Sequence, residues 1–201
     1  MDTIEVFADV RCPFAHVGIR RVHERRQAAE APPMRVRAWP LELVNAAPMD
    51  GDLIASEVEA IRAQVAPDLF AGFDPGVWPE TSLPALALTA AAYGVDEATG
   101  ERVALAVRDA LFEHGRDIAD RAVLAEIAEA HGVALPEPGH HEAVVAEWEA
   151  GQAAGVVGSP HFLVGGDGFF CPGLDIRHDD DGFHIERDVA AFGAFLDEAF
   201  G

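Results

Sequence analysis

Apolar positions open the chain in a strand-like run, with Ile4, Val6 and Phe7 inside residues 3–8. From Pro13 to about Glu30 the spacing lengthens to the helical repeat. Phe14, Val17 and Val22 then share one face, which leaves Arg20, Arg21, Arg25 and Arg26 for solvent. Pro13 suits the first helical position, where no N–H is needed. In "MRVRAWPL" Met34, Val36 and Ala38 alternate with Arg35, Arg37 and Trp39. One face of that strand is polar, which predicts a sheet edge.

Between about residues 50 and 154 the pattern is helical throughout. "LIASEVEAIRAQV" and "SLPALALTAAAYG" read as helices, the second closed by Gly94. "ATGERVALAVRDALFEHG" ends at Gly115, Asp120 is placed to cap "RAVLAEIAEAHG", and "HHEAVVAEWEAGQAAG" makes a last helix. Strand spacing returns in "SPHFLVGGDGFFCPGLDI", where two apolar runs around Gly165–Gly168 predict a hairpin. "DDDG", between "LDIR" and "FHIE", predicts a second, and Val189–Phe200 a final short helix. The two ends are too small to bury their faces separately. They predict one α/β core from residues 1–48 and 155–201, with 49–154 as an inserted helical subdomain.

Composition narrows the partners. Of 201 residues half are hydrophobic, as in a globular chain, and 14 basic residues against 35 acidic ones leave a formal charge of −21. Such a surface repels phosphate backbones and anionic lipid, so neither nucleic acid nor membrane is expected as a partner. The opening "MDTIEVFADV" has no basic leader or long apolar run, which predicts a protein of the reducing cytoplasm. There its two cysteines are expected as thiols.

The chemistry concentrates in "FADVRCPFAHVG". "CPFAHVG", "ALFEHGRDIADRAVLAEIAEAHGV" and "GVVGSPHFLVGG", in that order, resemble the DsbA-like branch of the thioredoxin superfamily. That branch includes cytoplasmic oxidoreductases, 2-hydroxychromene-2-carboxylate isomerases and kappa-class glutathione transferases. The resemblance implies a thioredoxin-like fold with a large helical insertion. It places Cys12 as nucleophile, Pro160 as the family's cis-proline, and Gly158–Ser159 as the loop whose backbone pairs with a bound thiol compound. Ala15 stands where the oxidoreductases keep a second cysteine, and Cys12 where the isomerases and transferases have serine. Gly173 falls at the family's glutathione-contacting aspartate; Asp175 would need a register shift to replace it.

A thiol at a helix start meets unpaired N–H groups and the positive end of the helix dipole, which predicts a Cys12 pKa below about 8.5. His16, one turn on, would add to this if protonated. Pro13, Phe14, His16, Ser159, Pro160 and Cys171 are the expected substrate-binding residues. Cys171 reads either as a buried strand cysteine or as a pocket-lining one. The topology that the resemblance implies puts it two strands from Cys12, roughly 10 Å away, which excludes a bridge between them. Thr81 and Ser82 are weaker candidates for the pocket, and His161 reads as a packed strand residue. His140 and His141 are adjacent and so do not share a helix face, and no metal is expected.

By resemblance, then, the leading function is monothiol thiol–disulfide chemistry on a small thiol or thiol-containing substrate. No cofactor is required, with glutathione the candidate cosubstrate and a homodimer allowed. The second function is a glutathione-dependent isomerase or transferase. The third is a binding protein with a degenerate redox site.

Overall fold

The computed structural model describes residues 3–200. β1 (Glu5–Ala8) runs into α1 (Pro13–Ala28), and β2 (Arg35–Ala38) returns parallel to β1 with Val36 opposite Val6. Much later in the chain β3 (His161–Val164) and β4 (Asp167–Phe170) form the expected hairpin, β3 lying antiparallel to β1. The sheet order is β2-β1-β3-β4, a thioredoxin-like α/β core with β2 at its edge.

Alternation along the strands decides what each face holds. Ile4, Val6, Ala8, Val36, Phe162 and Val164 point to the face covered by α1 and by α8 (Val189–Phe200). Phe7 points the other way, against Trp39. There α7 (Glu142–Ala153) comes so close that a Cβ on Gly151 would lie 2.8 Å from both aromatic rings. Any side chain at 151 would push the helix off the sheet.

α2 (Leu41–Val44) precedes the helical stretch, which holds α3 (Gly51–Gln64), a 3-10 turn at Pro75–Val77, α4 (Leu83–Tyr93), α5 (Glu97–Phe112) and α6 (Arg121–His131), and ends in α7. Asp120 caps α6 by accepting from the Ala122 N–H at 2.8 Å, as its position predicts. α2 and the 3-10 turn are too short to leave a periodic signal. The stretch does not pack on itself alone: Tyr93, Ala104 and Leu105 join the core beneath β1 and β2.

The outward N–H groups of β2 and of Met34 just before it are all taken. Met34 N donates to Glu101, Val36 N to the Tyr93 hydroxyl at 2.8 Å, and Ala38 N to Glu147 at 2.8 Å. α5, α4 and α7 each supply one acceptor, so the edge is closed by side chains rather than by another strand.

The second hairpin is present as predicted, β5 (Leu174–Asp179) pairing with β6 (Gly182–Arg187), and forms its own ribbon apart from the sheet. The Gln64 side chain bonds that ribbon like a strand residue, accepting from Ile185 N at 2.7 Å and donating to the Phe183 carbonyl at 2.9 Å. One expectation is corrected: the arginines of α1 are not all left to solvent. Arg20 pairs with Asp109, Arg21 with Asp68, and Arg26 is buried in a two-pronged pair with Glu101 at 2.6 and 2.8 Å.

Candidate functional site: a thiol at the start of α1

Cys12 is the residue just before α1, held extended with φ −80° and ψ 114°. Pro13 follows at a position whose missing N–H costs nothing. The Cys12 thiol donates to the Ser159 carbonyl across 3.2 Å. The Ser159–Pro160 bond is cis. A cleft of about 370 Å³ opens over the sulfur, lined among others by Cys12, Pro13, Phe14, Met49, Glu57 and Ser159. Three of the expected binding residues, Pro13, Phe14 and Ser159, are thus brought together with Cys12.

The other three are not on that lining. Pro160 lies deeper, with its ring toward Gly18 of α1. Cys171 follows β4 with φ +43° and donates its N–H to the Pro160 carbonyl at 2.9 Å. It is buried and absent from the cleft's lining, which agrees with the first of its two readings and not the second, although the charge of Cys12 still acts on it. Both cysteines are free thiols, and β4 stands two strands from β1 as expected.

His16 is turned away from the sulfur. Its Nε2 lies 2.8 Å from Glu113 Oε1, and its ring packs between Phe70 and Phe112. Burial lowers its pKa, against the pull of Glu113. Burial also acts on Glu113, but hydrogen bonds from His16, Phe70 N and Ala71 N outweigh it and hold the carboxyl at about 2. Nε2 must then carry the proton, and His16 is neutral.

The pH dependence follows from the sign of that shift. Below the ordinary histidine value of about 6.5, the unfolded chain takes up a proton that folded His16 refuses, so stability is lost on acidification. Glu113 works in the same direction lower down, its contribution fading as pH falls toward about 2. Thermal unfolding should therefore show a Tm that falls between pH 7.5 and 5.5 more steeply in wild type than in His16→Phe. Parallel profiles would show that His16 is not the group responsible.

Thiol protonation also departs from expectation. Burial pushes Cys12 up to about 12, although hydrogen bonds from the Ser159 side chain and from Ala15 N–H pull the other way. The charges of Glu57 and Asp9 add to the rise. The helix start does act on the sulfur, but removal from water is the larger effect. Cys171 is likewise pushed up to about 12 by burial.

Behind the cleft lies a polar network that sequence reasoning missed. Buried Asp9 accepts from Arg11 N at 2.8 Å, Leu41 N at 2.7 Å and the Ser82 hydroxyl at 3.1 Å, while its own N–H donates to Ser159 Oγ at 3.0 Å. Arg11, fully buried, reaches Glu42 at 3.2 Å and the Glu80 carbonyl at 3.2 Å. Thr81 and Ser82 both bond Glu42 instead of lining the cleft. The network fixes the loop that carries Cys12 against α2, the start of α4 and the proline loop. The only local hint was an acid at the end of an apolar strand.

A second cavity, of about 220 Å³, lies farther along α1 and is lined by Gly173 and Phe192. Gly173 has φ +94°, and a Cβ there would sit 3.1 Å from Phe192. An aspartate at 173 would be strained and crowded.

Sheet order, a thiol at the α1 start and a facing proline loop define a thioredoxin-type protein. The sequence matches the model of the DSBA-like thioredoxin domain over residues 3–178, and the chain belongs to that family. No curated protein matches it. Among solved structures it is similar to 2-hydroxychromene-2-carboxylate isomerase, at 16% identity and TM-score 0.65, covering 84% of this chain and 88% of that one. It is also similar to the cytosolic disulfide reductase DsbM from Pseudomonas aeruginosa, at 19% identity and TM-score 0.58, with 97% of each chain covered. The same reductase with GSH gives 17% identity and TM-score 0.59, again with 97% of each chain covered. Likeness at such identities shows a shared fold alone. Among the described residues no helix is long and apolar enough to cross a membrane.

Proposed function

We propose that this protein carries out thiol–disulfide exchange of the monothiol kind, with Cys12 as nucleophile and a small thiol or disulfide as substrate. The observation that carries this is the 3.2 Å approach of Cys12 Sγ to the Ser159 carbonyl at the floor of an open cleft. Cys12 sulfur attacks a disulfide, forms a mixed disulfide and releases the other half as a thiol. Ala15 offers no second thiol on the first turn, and Cys171 is a buried free thiol outside the cleft's lining. An external thiol must therefore free Cys12, forming a new disulfide with the bound half. Such a cycle needs a thiol-rich setting, and we place it in the cytoplasm.

A glutathione-dependent isomerase or transferase is the second reading, favoured by the fold shared with the isomerase and with the GSH-bound reductase. Against it stand Gly173 in place of the family's aspartate and a cleft whose lining holds Asp50 and Glu57 but no basic residue. Two carboxylates of a glutathione molecule would find no cation there.

Intact-mass measurement after incubation with bis(2-hydroxyethyl) disulfide tests the first reading. One adduct per chain is expected, mapped to Cys12 and absent from Cys12→Ser. No adduct, or an adduct on Cys171 alone, would overturn it and leave a binding protein with a degenerate redox site. Tight glutathione binding by calorimetry without any adduct would favour the second reading.

A further inference from the structure

A thiol held in its protonated form by burial is a poor nucleophile, and a group in the cleft that takes its proton would make it a better one. Glu57 is placed to do so. It sits on α3 at the helical spacing of Ile54 and Ile61, on the face turned to the core, and lines the same cleft as Cys12. Its charge is close enough to act on the sulfur. None of the arginines lines the cleft, and Glu57 has no ion pair or hydrogen bond among the described residues. The titratable groups facing it are Cys12 from the α1 start and Asp50 from the cap of α3. α2, the loop after it and the proline loop contribute only Leu41, Asn45, Pro48, Met49 and Ser159.

We propose that the Glu57 carboxylate is the proton acceptor for Cys12. The proposal rests on Cys12 being the nucleophile, and it adds the group that makes a buried thiol reactive. As Cys12 Sγ bonds to one sulfur of the substrate disulfide, the thiol proton passes to Glu57 and the substrate S–S bond breaks. The departing thiolate then takes the proton from Glu57, so the carboxylate is restored and a neutral thiol leaves. Protonating Glu57 as the sulfur becomes anionic keeps one negative charge in the cleft instead of two. Burial also raises the Glu57 carboxyl to about 7, which suits an acceptor working near neutral pH.

The test exploits an opposition of sign. If Glu57 acted only as a nearby negative charge, it would raise the thiol pKa, and Glu57→Gln would make Cys12 react faster. If it takes the proton, Glu57→Gln makes Cys12 react more slowly. The experiment is the rate of iodoacetamide labelling at Cys12, followed by peptide mass in a Cys171→Ser background from pH 5 to 10, with the Tm of each variant recorded. Wild type should rise through an inflection near 7 and level off. Glu57→Gln should lose that inflection and label on the order of a hundredfold more slowly at pH 8. Glu57→Asp, a shorter acid, should keep the inflection at a reduced rate. An equal or faster rate in a folded Glu57→Gln overturns the proposal and leaves Cys12 as nucleophile untouched. No labelling of Cys12 in folded wild type removes both.

Discussion

Dithiothreitol-driven reduction of insulin, negligible in wild type, is expected to appear in the Ala15→Cys variant. Residue 15 lies on the first turn of α1, and its N–H already points toward the Cys12 sulfur. A thiol there is spaced as in the redox motif that the chain resembles, and would attack the mixed disulfide on Cys12 from within. That step replaces a second-order reaction with an intramolecular one, which is why the gain should be large. The cost is steric. Ala15 is fully buried beside the sheet, and an added sulfur in a filled site costs about 1–3 kcal/mol. Oxidised Ala15→Cys should also show one free thiol per chain, Cys171, where wild type shows two. Insulin reduction by wild type at the rate of the variant would mean that Ala15 does not limit turnover.

The largest loss of stability is expected from Arg26→Met. Arg26 gives three hydrogen bonds, two to Glu101 and one to the Ala31 carbonyl at 2.8 Å, and Glu101 also receives Met34 N. One buried pair thus ties the end of α1 to α5 and to the closed edge of β2. Removing the cation leaves Glu101 charged and enclosed, at a cost of about 3–5 kcal/mol. For a chain of this size that lowers Tm by roughly 6–20 °C. The double variant Arg26→Met/Glu101→Leu should recover part of the loss, because it removes the stranded charge. A drop under about 2 °C for the single change would show the pair to be energetically idle.

Much of the fold was legible because it is written in local periodicity. The alternation of Ile4 and Val6, the apolar face of α1, and Asp120 before α6 each needed only neighbouring residues to be read. What escaped depends on residues far apart in sequence. Arg26 looks like a solvated residue until Glu101 arrives from α5. Asp9 finds its partners at Leu41, Ser82 and Ser159, positions that no spacing rule connects. Cys12 shows the same limit in its chemistry. The helix start is a local fact and was read correctly, whereas the burial that outweighs it is supplied by α3 and the proline loop. Glu57 did leave a signal, an acid three residues after Ile54 and four before Ile61 on an otherwise apolar face. It becomes meaningful only beside the thiol.

The two cysteines bond to successive carbonyls of the Ser159–Pro160 loop but remain unbridged, and this bears on oxidative damage. Peroxide that reaches Cys12 would leave a sulfenic acid with no thiol in the cleft to condense with, because Ala15 has none and Cys171 is buried outside its lining. In a protein with a paired cysteine that intermediate closes into a reversible disulfide; here it stays open to further oxidation, to the sulfinic acid, unless a free thiol enters the cleft first. The cleft that admits substrate is therefore also the route of repair, and crowding it would expose the enclosed sulfur to irreversible loss.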